Sequence, residues 1–215
     1  MIYFISGLGA DERVFQFLEL PNHPFKHIHW LSPEKRESIT HYSSRLIQQI
    51  DTTQEVILIG VSFGGMIAQE IAKQISCQHV IIISSVKSPH EFSWQLKIIG
   101  KLKLHRLAPT PLLKWGNLLT ANYYFSVTDK QETALLKQIV LDTATTFMVW
   151  AINAIMCWKN PDPLSNLVHI HGTSDRIFPI NAIKNVIPVE GGGHFMIVNK
   201  AEEVSKLILD VINKL

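Results

Sequence analysis

An unbroken apolar run, Val56 to Ile59, leads into Gly60-Val61-Ser62-Phe63-Gly64, and beyond Gly65 the apolar positions Met66, Ile67, Ile71 and Ile75 fall at helical spacing. A β-branched run without polar alternation is buried on both faces, which places it inside a parallel sheet. The change of period within a few residues demands a sharp reversal, and glycines at 60 and 64 remove the β-carbons that would collide in it. Ser62 then stands at the carboxyl end of a strand, beside the unpaired N–H groups that open a helix. A G-x-S-x-G turn in this setting holds a serine hydroxyl up as a nucleophile.

Six short apolar runs read as strands: Ile2 to Ser6, His27 to Leu31, Val56 to Ile59, His79 to Ser84, Leu167 to His171 and Val186 to Val189. Between and after them lie helical patterns, one through Ile39, Tyr42, Leu46, Ile47 and Ile50 behind the N-cap Ser38, and a last one from Val204 to Leu215. The alternation predicts an α/β fold, a doubly wound and mainly parallel six-stranded sheet with helices on both faces. Right-handed crossovers give the strand order 2-1-3-4-5-6, with the ligand crevice between strands one and three. The loop Gly7-Leu8-Gly9-Ala10 thereby becomes the neighbour of Ser62.

Residues 87–160 are too long for an ordinary crossover. They are expected to form a helical cap, or lid, inserted into a core made of residues 1–86 and 161–215. Within the insertion, Thr128-Asp129-Lys130-Gln131 resembles a capping box opening one long helix through Ala134, Leu135 and Val140 toward Trp158, stopped at Asn160-Pro161. The insertion carries nine basic and four acidic side chains, and Lys97, Lys101, Lys103 and Arg106 interleave with apolar residues from Trp94 to Leu107 as in a surface-lying amphipathic helix. That surplus of positive charge is expected to favour anionic substrates.

A chain of 215 residues that is 47% hydrophobic buries a sizeable core as one domain. No apolar window is long enough for a membrane span, and Met1 runs directly into the first strand, so the expectation is a cytoplasmic protein without stable membrane insertion. Cys77 and Cys157 form no C-x-x-C pair and read as core thiols rather than a disulfide or zinc site. With a pI near 8.5 and no recognition motif, nucleic acid is not an expected partner. The sequence carries no signal of oligomeric state.

A serine hydroxyl needs a base, and the base an orienting acid. After the fifth strand comes His171-Gly172-Thr173-Ser174-Asp175, and after the sixth Gly191-Gly192-Gly193-His194, both on the sheet edge that carries Ser62. The chain order Ser, Asp, His is the one expected of a triad on such a sheet. Asp175 also reads as a turn cap ahead of Pro179, and the pairs His27/His29 and His169/His171 as metal ligands, the weakest of these alternatives.

In these motifs the chain resembles the α/β-hydrolase fold superfamily over nearly its whole length, the insertion excepted. The resemblance implies Ser62 as nucleophile, Asp175 as acid and His194 as base. It also implies that Ser6-Gly7-Leu8-Gly9 is the oxyanion loop, with the backbone N–H groups of Leu8 and Phe63 as donors. Ser6 stands where the family usually has histidine. The first strand matches the family's third, so the expected first hairpin is missing, a change expected to bear on oligomerisation or stability. The implied function is a serine hydrolase cleaving a small-molecule carboxylic ester or thioester through an acyl-enzyme on Ser62, with no cofactor and no metal. Its rivals are a non-catalytic ligand-binding protein of the same fold and a peripheral membrane lipase.

Overall fold

The computed structural model describes residues 1–102, 122–127, 129–161 and 164–213. Six parallel strands, β1 (Ile2–Ile5), β2 (Phe25–Ile28), β3 (Ile57–Val61), β4 (His79–Ile83), β5 (Leu167–Gly172) and β6 (Ile187–Val189), form one sheet in the order 2-1-3-4-5-6. The side-chain period of two sorts the strands onto two cores. Ile2, Phe4, Ile57, Ile59, Ile81 and Ile83 pack on one face, and Tyr3, Ile5, Leu58, Val80 and Ile82 on the other. Helices α1 (Ile39–Leu46) and α2 (Phe63–Ala72) cover the second face. Beyond α3 (Trp94–Lys101), α4 (Lys130–Asp142) and α5 (Thr145–Cys157), the short α6 (Met196–Asn199) and the final α7 (Ala201–Ile212) cover the first face.

β2 lies upstream of the expected span. The apolar pair Trp30-Leu31 draws a sequence reading there, but tertiary contacts take those residues out of the ladder: Tyr42 Oη both accepts from Leu31 N–H, at 2.9 Å, and donates to Leu31 O, at 2.8 Å. Pairing stops at Ile5 with Ile28, where β1 ends.

The expected long helix is two helices, α4 and α5, bent by 97°. Neither glycine nor proline marks the break. Arg13 Nη2 holds Asp142 at 2.7 Å, and Thr143 turns its hydroxyl back onto Ile139 O at 2.9 Å while its backbone becomes extended. The N-cap of α4 is Asp129, whose side chain accepts from Gln131 and Glu132 N–H, rather than Thr128, which lies outside the described residues. Helix α3 ends at Lys101, and residues 103–107 of the expected amphipathic stretch also lie outside them. Cys77 is half-buried, but Cys157 is exposed on the last turn of α5 and not a core thiol.

The end of α5 is tied to α2 and to the segment after β4 through a buried polar network. Trp158 Nε1 donates to Glu70 Oε1 at 2.9 Å, and Asn160 Nδ2 donates to Gln69 Oε1 at 2.9 Å and to Lys87 O at 2.6 Å. Glu70, buried on α2, also pairs with Lys73 and accepts from Thr40, so its charge is compensated. Residues 158–160 are thus anchored on the helix that begins at Ser62. Among the described residues no single helix is long and apolar enough to cross a membrane.

Candidate active site

Ser62 joins β3 to α2 at φ 54° and ψ −118°, a left-handed conformation that a side chain disfavours. The neighbouring strand holds it in place: Ser62 N–H donates to Ile83 O at 2.9 Å, and Ser85 Oγ donates to Ser62 O at 2.7 Å. Close approach dictates the flanking glycines. A β-carbon on Gly60 would overlap the Gly64 carbonyl, and one on Gly64 would overlap the carbonyls of Ile5 and Ser6.

The loop after β1 closes over the same turn. A β-carbon on Gly7 would sit 3.3 Å from Ser62 Cβ. Ser6 Oγ and Trp30 Nε1 both donate to Ala10 O, at 2.8 and 3.1 Å, so a hydroxyl at position 6 and an indole from beyond β2 fix the loop that carries Leu8. Leu8 borders the space in front of Ser62, and Phe63, first residue of α2, offers one of the N–H groups a helix start leaves without an internal partner.

The structure brings Ser62, His194 and Asp175 into one chain of hydrogen bonds. His194, buried in the loop after β6, places Nε2 2.9 Å from Ser62 Oγ and Nδ1 2.8 Å from Asp175 Oδ2. A carboxylate only accepts, so Nδ1 carries a proton, and a ring whose single proton sits there turns a bare Nε2 toward the serine hydroxyl. The other oxygen, Asp175 Oδ1, accepts from Ile177 and Phe178 N–H at 2.8 and 2.9 Å. Asp175 therefore caps its own turn and meets His194 at once.

Below it lies a second pair of imidazoles. His171 Nε2 is 2.8 Å from Phe178 O and so carries its proton, which leaves Nδ1 to accept from His169 Nε2, 3.1 Å away. These histidines share one face of β5 and are both buried, with Asp175 Oδ2 3.7 Å from His171 Nε2. The other pair diverges: His27 stacks on Phe4 and Phe15, while exposed His29 lies 3.8 Å from Glu12.

Burial pushes His169 down to about 2, the like charge of His171 adding to it, and burial lowers His171 as well, so both rings stay neutral. Burial acts on Asp175 in the opposite sense, but attraction to His194 and its hydrogen bond outweigh it and hold the carboxyl below its ordinary value. Asp175 is an ionised acceptor for His194 Nδ1, and the array can pass a proton from Ser62 Oγ to His194 Nε2 while stabilising the imidazolium that results.

Phe125, in the sequence one of several aromatics of the insertion that read as core, has its ring edge-on to His194 at 5.2 Å. Nothing in its local sequence separates it from the other aromatics of the insertion. The backbone N–H groups of Ile177 and Phe178 were equally invisible, although the turn signal of Asp175 pointed to them.

Among solved structures, an esterase from Thermogutta terrifontis superposes with a TM-score of 0.72 at 14% identity, covering 99% of this chain and 89% of that one. MenH from S. aureus gives 0.74 at 15%, over 99% and 93%. A bromoperoxidase from Bacillus anthracis gives 0.72 at 15%, over 99% and 91%. At these identities the likeness is one of fold. A search among curated proteins found no match. Residues 2–207 match the alpha/beta hydrolase family, and with the parallel sheet, the turn at Ser62 and the strand order all in place, this chain belongs to that family.

Proposed function

We propose that the protein is a serine hydrolase that cleaves a small apolar carboxylic ester or thioester. The observation that carries this reading is the Ser62–His194–Asp175 hydrogen-bond chain opening onto a cavity of about 260 Å³ lined by Leu96, Met148, Ile152, Ile155, Met156 and Phe178. Ser62 Oγ adds to the carbonyl carbon as its proton passes to His194 Nε2, and the carbonyl oxygen takes the electron pair, held by the N–H groups of Leu8 and Phe63. Collapse re-forms the carbonyl and breaks the bond to the alkoxide or thiolate, which leaves with the proton from His194. A water then gives its proton to His194 and adds to the acyl-enzyme, releasing the acid and restoring Ser62.

In this reading residues 87–160 act as the lid. Leu96 of α3 and the inner faces of α4 and α5 supply the cavity wall, and His194 is the single titratable side chain among its described lining. The positive charge of the insertion, expected to favour anionic substrates, has no side chain in that described wall. A fluorophosphonate probe is expected to add covalently to Ser62 in the wild type and not to Ser62→Ala, read by intact mass, with ester turnover lost in the same variant. An unlabelled wild type, or a Ser62→Ala variant that still turns over ester, would overturn the proposal.

A second reading, docking of the lid on a lipid surface, is favoured by one feature of α3. Trp94, Ile98 and Leu102, at i, i+4 and i+8, are exposed, while Leu96 faces the cavity. Flotation with anionic vesicles is expected to recover the wild type and to lose most of a Trp94→Glu, Ile98→Glu variant. Equal flotation of the two proteins would remove this reading.

A further inference from the structure

We propose, resting on the reading of Ser62 as nucleophile, that Phe125 is a partition dividing the space at Ser62 into two apolar chambers of unequal size. The substrate class is then an uncharged ester with one short and one long apolar arm. Two cavities meet at Ser62 and share Leu8, Gly9, Phe125 and His194 in their walls. The larger is the 260 Å³ cavity under α3 and α5. The smaller, about 30 Å³, is bounded by Val14, Val61, Leu136 and Ile139, none of which lines the larger one. A water-sized group needs roughly 10–15 Å³, so the small chamber takes a methyl or ethyl group and little more. The large one accommodates an alkyl chain or a ring. Among the described residues His194 is the single titratable group in either wall, so a charged arm would lose its hydration without gaining a partner.

A partition has to be rigid, and Phe125 is held on three sides. Its ring packs edge-on against His194 at 5.2 Å and Phe195 at 6.2 Å. Its carbonyl accepts from Phe195 N–H at 3.2 Å, within the loop that carries His194. Two residues earlier, Tyr123 O accepts from Arg176 at 2.8 Å, and the Arg176 guanidinium lies 4.4 Å from the Tyr123 ring centroid. Next to Phe125, Ser126 presses so closely on Gly193 that a β-carbon there would overlap it. These contacts hold the ring against the loop that carries His194, and its removal would join the chambers.

Four esters test this: methyl acetate, methyl hexanoate, hexyl acetate and hexyl hexanoate. In the wild type, kcat/KM for hexyl hexanoate is expected to fall at least about 100-fold below the better of the two mixed esters, since misfit in an apolar pocket costs roughly 10- to 200-fold per methylene. Phe125→Ala is expected to reduce that ratio at least tenfold, with Phe125→Leu between them. Each ratio is taken within one variant, so a weakened triad cancels, and Phe125→Leu carries the test if Phe125→Ala does not fold. A wild type that takes hexyl hexanoate as readily as a mixed ester, or variants that keep the wild-type ratio, would overturn the partition while leaving labelling of Ser62 intact. Absence of both labelling and turnover would instead overturn the hydrolase reading and this inference with it.

Discussion

Asp175→Asn is expected to lower kcat by about 10⁴, by analogy with serine-protease triads in which this exchange mis-sets the histidine tautomer. The structure gives the reason in this chain. Ile177 and Phe178 N–H both point at Oδ1, so the amide oxygen of an asparagine has to take that position and its NH₂ has to face His194. Nδ1 would then be the acceptor, the ring proton would move to Nε2, and Ser62 would lose its base. Substrate binding should change little, since the carboxyl is buried behind the imidazole. Steady-state kinetics on any turned-over ester checks this, and a loss below tenfold would mean that another group orients His194.

The second large effect is on stability in acid. His169, with a folded value near 2, stays unprotonated in the native protein but takes up a proton on unfolding at any pH below its ordinary 6.5. Its contribution is complete above about pH 6.5 and is lost as pH falls, by about 1.4 kcal/mol per unit, or about 2 kcal/mol between pH 6.5 and 5. His171, also depressed by burial, adds in the same direction despite facing Asp175 and Glu91, while Lys87 adds to the depression of His169. The lowered carboxyl of Asp175 has the same sign but acts later, its contribution being present above 3.8 and lost below. Urea midpoints from pH 7.5 to 5 should show the decline, and His169→Leu should flatten it by about one proton. Parallel curves for the two proteins would rule this out.

The parts legible in the sequence were those written in local chemistry. Unalternated β-branched runs marked the strands, glycines marked the turn at Ser62, and crossover handedness gave the order that puts Gly7–Ala10 beside it. The parts that failed depend on distant partners. The break at Thr143 carries no glycine or proline, and the Arg13 that meets Asp142 beside it lies far away in sequence. Trp30-Leu31 looks like strand until Tyr42 supplies hydrogen bonds that a neighbouring strand would otherwise give. Phe125 reads as one aromatic among many until the fold sets it against His194.

The fastening of residues 122–127 bears on how such a protein can be re-engineered or can diverge. Transplanting a foreign segment between β4 and β5 would look like the exchange of a self-contained module. It would nevertheless carry away the carbonyl that receives Phe195 N–H, the carbonyl that anchors Arg176 and the surface on which Gly193 rests. The loops that carry Asp175 and His194 would both be left without their outer brace, even though Ser62, Asp175 and His194 all lie outside the exchanged segment. A workable chimera keeps residues 122–127 and their three docking points with the host, and varies the helices on either side.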